Sequence, residues 1–364
     1  MNHARPSLDP ERIADKKLPI EVPSSYAQAQ TVAQQVAYLL SADHRLLPEA
    51  DSVLTDLQER LPTVLQSAFK EESTVALLEI QQALFVIYEV TFSNPLSPAA
   101  SHEHAPWLVR VRRAIEDAWF AYDLPLVEHE LPPDSELVQP ELLTAWFIKQ
   151  ANKESPTDRL LVRFLAEEAT VEDFKNFLLI DVHLNYRFYD ALALAQLHFS
   201  ETVKAELSRH MWDECGQGNG ELAHTRQFTR ALQKLQLPQP HIPVWDDWRL
   251  YAGYNLYLCF GLNRRNYFKS LGSLAMPELF DPDRDRAVIA GLQRLGFDAK
   301  NDFQYYSTHI EGDEQHGQEW LDHVITPIVR VQPEAARELA LGAALRMEYM
   351  RRFNACLAQK FGLQ

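Results

Sequence analysis

The sequence predicts a nearly all-α protein. Apolar residues recur at three- and four-residue steps along most of the chain, no segment alternates apolar and polar residues as a half-buried strand does, and glycine, which weakens helix interiors, contributes only 12 of 364 residues.

Taken in order, residues 1–24 are polar, carry Pro6, Pro10, Pro19 and Pro23, and are expected to form an extended arm. Residues 25–135 are expected to form an N-terminal helical region. Within it Val32–Leu40, Val53–Leu61 and Leu77–Ile87 each place apolar side chains on one helical face, and none carries a paired metal-ligand spacing. The proline-marked connection Leu124-Pro-Leu-Val-Glu-His-Glu-Leu-Pro-Pro133 marks the boundary to a second region, 136–364. There, amphipathic helices are expected near 140–153, 157–169, 171–197, 200–215, 219–236, 246–260, 284–295, 301–325 and 333–360. Turn signals such as Leu237-Pro-Gln-Pro-His-Ile-Pro243 and Phe280-Asp-Pro-Asp-Arg-Asp285 separate them.

Composition excludes several classes of partner. Asp and Glu total 51 against 35 Lys and Arg, a formal charge of −16, so no basic face is expected for nucleic acid. No apolar run approaches the roughly 20 residues that span a bilayer, and Met1-Asn-His-Ala-Arg-Pro-Ser lacks the layout of a secretory signal. Cys215, Cys259 and Cys356 are too few and too scattered for a disulfide framework, which fits a reducing compartment; a cytoplasmic protein without membrane attachment is expected. There is no phosphate-cradling glycine loop after a strand, no Ser-His-Asp signature and no CxxC zinc spacing.

The chemistry sits in two stretches. In His309-Ile-Glu-Gly-Asp313-Glu-Gln-His316, offsets of four, three and seven put two imidazoles and a carboxylate on one face of a helix. About ninety residues upstream, Glu214 and Glu221 lie seven apart and His224 follows three later, the Glu-x-x-His step of dinuclear carboxylate sites in helical bundles. Together they offer three carboxylates and three imidazoles, a set that suits iron, or manganese, with positions open for oxygen. Gly216, Gly218 and Gly220 stand between Glu214 and Glu221. At roughly 1 kcal/mol per glycine a regular helix is costly there. Either one helix ends near Glu214 and another begins near Glu221, or the backbone is loosened beside the metals.

These stretches, with Arg187-Phe-Tyr-Asp-Ala-Leu-Ala-Leu-Ala-Gln196, Trp212-Asp-Glu-Cys-Gly216, His224-Thr-Arg-Gln-Phe228 and His316-Gly-Gln-Glu-Trp320, resemble the haem-oxygenase-like dimetal oxidases, the iron-containing redox enzymes, over about residues 160–360. The resemblance implies a haem-oxygenase-like helical bundle holding two Fe(II) ions per chain through Glu214, Glu221, His224, His309, Asp313 and His316, with dioxygen as co-substrate. It implies a small amine or amino-acid-derived substrate and N-oxygenation in secondary metabolism, or desaturation, carbon–carbon cleavage or decarboxylation of an aliphatic acid. The additional N-terminal helices serve dimerisation in some relatives, so a homodimer is expected; the electron donor is open.

The family also takes a Glu six residues before the Arg-Phe pair. Here that position is Asp181, one methylene shorter, with His183 and Asp190 nearby as substitutes; a labile site with one weakly held iron is expected. Cys215, next to Glu214, is expected near the metals without ligating them. Tyr305, Tyr306 and Trp320 flank the second stripe by one helical turn, and His323 would continue its face. A carboxylate-bearing substrate needs a cation, for which Arg226, Arg346 and Arg351 are the candidates. A helical scaffold or haem-binding protein with a degenerate site is the alternative of another class.

Overall fold

A computed structural model describes residues 18, 20–41, 49–197, 200–239 and 242–363, without the side chains of 281, 282 and 311–315. Among these residues there are seventeen α-helices and no strand. Most of the 1–24 arm lies outside the described residues.

The chain divides into two units, residues up to 123 together with 241–255, and residues 124–240 together with 256–364. In the first unit lie α1 (Val32–Leu40), α2 (Ala50–Phe69), α3 (Thr74–Glu89) and most of α4 (Pro106–Glu128). Helix α3 is buried almost all round, the pattern of a core helix. The stretch Thr74–Phe92 is long and apolar enough to cross a membrane, which corrects the expectation that no such run exists, and 72% of its most apolar window is buried inside the protein. Two of the polar groups that α3 carries inward are engaged: Tyr88 Oη donates to Glu116 at 2.9 Å, and Gln81 Oε1 accepts from Asn255 at 2.8 Å.

The second unit contains α5 (Asp134–Leu137), α6 (Pro140–Ala151), α7 (Pro156–Glu167), α8 (Val171–Ala195), α9 (Glu201–Glu214), α10 (His224–Lys234), the end of α11 (Trp248–Leu262), α12 (Tyr267–Ala275), α13 (Pro277–Arg294), α14 (Ala299–Asp302), α15 (Gln304–Glu319), α16 (Thr326–Val331) and α17 (Ala336–Lys360). Capping boxes at Ser155 with Asp158 and at Thr170 with Asp173 fix the starts of α7 and α8, close to the sequence expectation.

Three departures from the expected helices shape the site. Helix α10 begins at His224 rather than near 219, because Gly216, Gln217 and Gly218 all take positive φ (68°, 53° and 83°) and turn the chain out of α9. A Cβ on Gly216 would sit 2.5 Å from the Ala223 nitrogen, so this left-handed turn folds directly onto the residue before His224. Helix α13 begins at Pro277 and runs through the Asp281-Pro282 step expected as a turn. Helix α15 ends at Glu319 and continues as a π-helical turn, Trp320–Ile325, a form frequent beside functional sites.

Candidate metal centre

Three elements of the second unit meet at Glu214, His224 and His309. Glu214 ends α9, His224 opens α10, and His309 lies in the first half of α15; one ligand atom from each falls within 4.8 Å of the others. His224 Nδ1 is 3.1 Å from Glu214 Oε2, yet the two are not aligned as a hydrogen bond and Nδ1 is buried without one. A pair of donor atoms side by side, rather than aimed at each other, is what a shared third centre requires. The His309 ring lies 4.5 Å from that of His224, and its Nδ1 sits 2.7 Å from the Tyr305 carbonyl. Donation of Nδ1–H to that carbonyl fixes the tautomer and leaves the Nε2 lone pair for a metal.

Two turns along the same helix, His316 meets a second set of acids. Its Nε2 is 3.4 Å from Asp213 and its Nδ1 is 3.5 Å from Glu278. The His210 ring, tilted by 47°, lies 4.2 Å from that of His316 and, with Glu319, completes a second group whose ligand atoms lie within 4.8 Å. Glu319 is already ion-paired with Arg209, whose charge would repel a cation there. Among the described residues Asp213 and Glu278 form no ion pair with a lysine or arginine, so they are the better companions for His316. The close approach of Glu278 depends on Gly317: a Cβ there would lie 2.7 Å from the Glu278 carbonyl oxygen.

The electrostatics follow from this crowding. Burial pushes the Glu214 carboxyl up, but His224, His309 and His210 outweigh it and hold the group below the usual range. Burial lowers His309, and the neighbouring His224 lowers it further, to about 4, so it is neutral at physiological pH. Burial also works against charge on His224 and His316, but acids prevail: Glu214, Glu278 and Asp213 raise His224, while Glu278 and Asp213 raise His316. Glu278 therefore acts on His224, His309 and His316 alike.

A metal must displace the protons that His224 and His316 hold more tightly than a free imidazole. Fe(II) affinity is thus expected to rise as pH climbs through these raised values and to fall as pH drops below them. Anaerobic Fe(II) titrations between about pH 6 and 8 check this; a pH-independent affinity would contradict it.

The predicted residues distribute unevenly. Glu214, His224 and His309 converge, with His316 two turns away. Glu221 is not brought to them: it is half-exposed and ion-paired with Arg230 at 2.5 Å and Arg226 at 3.7 Å. The cause is the left-handed turn, which leaves Glu221 outside α10 so that helical spacing to His224 does not apply. Joining a metal would mean exchanging an exposed ion pair, a step of small cost. Asp313 belongs to α15, but its side chain lies outside those described. Asp181 is buried and accepts from Asn185 at 3.0 Å, and Asn185 in turn accepts from the Tyr305 hydroxyl at 2.8 Å. Asp181 is thus linked to His309 through the Tyr305 ring, which lies 4.2 Å from the imidazole at a tilt of 47°, and does not itself join the ligand group. Asp190 pairs with Arg187 at 3.3 Å. The Cys215 thiol is pushed up by burial, Glu214 and Asp190, away from thiolate chemistry. Tyr306 is buried; Trp320 Nε1 donates to His210 at 3.3 Å, and His323 turns to Glu206 at 3.1 Å. Sequence reasoning missed Glu278, Asp213 and His210. Asp213 adjoins Glu214, and His210 stands four residues before it on α9, a spacing that could have signalled it; Glu278 shares no ligand spacing with the stripes.

A small cavity of about 40 Å³ opens beside His309 and Glu278. A larger one, about 460 Å³ around Leu194, Phe260 and Tyr267, contains none of the candidate ligands, so the smaller is the one tied to the chemistry.

The all-α unit thus carries a buried group of histidines and a carboxylate that could hold a metal ion. The family model for iron-containing redox enzymes matches residues 175–351, and this part of the chain belongs to that haem-oxygenase-like family. A search of curated proteins finds no match.

Proposed function

We propose that the chain is a non-haem di-iron oxidoreductase that uses dioxygen to N-oxygenate a small amine or amino-acid-derived substrate. The observation that carries this reading is the convergence of Glu214, His224 and His309 from three helices, with His316 and Glu278 alongside. Glu214, His224 and His309 would hold one iron; His316, Glu278 and Asp213, with Asp313 by helical register, would hold the other. Ferrous ions under such ligands supply electrons and open positions for dioxygen.

The surrounding residues orient and enclose. Tyr305, its hydroxyl kept protonated by burial and by Asp181, Asp285 and Glu214, donates to Asn185 and holds the His309 ring from one face. Leu184, Phe188, Tyr257 and Pro277 supply the apolar part of the cavity lining. Glu278, Arg284, Asp285 and Arg346 line the same cavity, and a wall that carries both signs of charge suits a polar amine or amino acid better than an aliphatic chain, which favours N-oxygenation over desaturation or chain cleavage.

Anaerobic Fe(II) titration should give about two irons per chain, and exposure to oxygen with a panel of amines and amino acids should add oxygen while the carbon skeleton is retained. Loss of carbon would redirect the reading to oxidative cleavage. A Soret band, or no iron uptake at neutral pH, would overturn it.

A further inference from the structure

Three arginines are candidates for an anion-binding cation, and the structure separates them. Arg226 is ion-paired with Glu221 at 3.7 Å, and Arg351 with Glu130 at 3.0 Å and Glu348 at 2.8 Å. Arg346 differs: on α17 it is only 4% exposed, its Nε is buried without a hydrogen bond, and no described carboxylate forms an ion pair with it. Its one contact of note is with the Tyr257 ring, whose centroid lies 4.6 Å from the guanidinium carbon.

A buried cation in that state is costly, because a π face offsets only part of the lost hydration and leaves the guanidinium fork unfilled. Arg346 lines the cavity shared by His309 and Glu278. Of the other charges on that wall, Glu278 faces His316, and Arg284 lies beside Asp285 at 4.0 Å. Among the described residues, Arg346 is thus the cavity-lining cation that no carboxylate pairs. At about 40 Å³ the space exceeds the roughly 10–15 Å³ that one water needs and is the size for a small anionic head group.

We infer that Arg346 is the substrate anchor: its guanidinium binds the carboxylate of the substrate, placing the rest of the molecule toward Glu278 and His309. The substrate class is then a small carboxylic acid, and a wall that carries both signs of charge suits an amino acid better than an aliphatic acid. This deepens the proposed di-iron reading and rests on it for the chemistry, though the anion site stands on Arg346 alone. The planar fork matches a carboxylate through two parallel hydrogen bonds, so lysine would replace it poorly.

Formate, the smallest carboxylate, is the probe. With the full-length chain at constant ionic strength, replacing chloride by formate should raise the Tm of the wild type along a saturating curve, by linkage, whereas neutral formamide should not. In Arg346→Met the apparent Kd for formate should weaken at least tenfold, and Arg346→Lys should fall between the two. Superimposable formate curves for wild type and Arg346→Met overturn the assignment. If Arg346→Met does not fold, Arg346→Lys carries the test, and a wild-type response from it overturns the assignment. Fe(II) titration of the same samples separates the two ideas: iron uptake with no Arg346-dependent formate response sinks the anchor alone, while that response without iron uptake sinks the di-iron reading alone.

Discussion

His309→Ala is expected to abolish tight iron binding at the Glu214 and His224 site and, with it, oxygen-dependent turnover. Of the histidines at the centre, His309 is the one already neutral, held near a pKa of about 4, and its Nδ1–H is committed to the Tyr305 carbonyl. It is therefore the donor that binds metal without first losing a proton. Loss of groups that merely orient a ligand commonly costs 10–100-fold in metal affinity, so loss of this ligand should cost at least about 100-fold. The helix should survive, since alanine is a better helix former than histidine, and the emptied space should cost roughly 1–3 kcal/mol of stability. Anaerobic Fe(II) titration with circular dichroism reads both. Wild-type affinity in the variant would remove His309 from the ligand set; a collapsed spectrum would move the test to Glu214→Gln, which keeps the side-chain volume and removes the charge.

How far the centre could be read from the sequence depended on whether each pair of residues shared one regular helix. His309 and His316 do, and the 3.6-residue period places them on one face without any knowledge of the fold. Glu214 and Glu221 were read by the same rule across Gly216-Gln217-Gly218, where three successive positive φ angles end the period, so the seven-residue spacing there places nothing. The glycines signalled that a regular helix was expensive; they did not say which residues the turn would send outward. Glu278 was hidden for a different reason. It belongs to the first turn of α13, a helix that starts earlier than the Asp-Pro step suggested, and its nearness to His316 comes from packing between helices, to which periodicity is blind. The three arginines make the same point. Their charge is visible in the sequence, while the burial that singles out Arg346, and its want of a carboxylate partner among the described residues, are properties of the folded chain.

Gly317→Ala should separate the two halves of the centre. The added Cβ would fall 2.7 Å from the Glu278 carbonyl oxygen and 2.9 Å from Leu279 Cδ2. The first of these is backbone in the opening turn of α13, which cannot rotate aside, so α13 and α15 must move apart where His316 faces Glu278. Overpacking of this kind costs about 1–3 kcal/mol, against a gain of up to about 1 kcal/mol from helix propensity. A lower Tm is therefore expected. Glu214 and His224 lie on α9 and α10, and His309 two turns earlier on α15, so their group should be disturbed far less. Fe(II) titration is expected to show one iron retained near wild-type affinity and the other weakened at least tenfold, following the lost approach of Glu278 to His316. If both irons bind as in the wild type while Tm falls, Glu278 is not a ligand, and His316 draws its carboxylate partner from Asp213 or from its own helix.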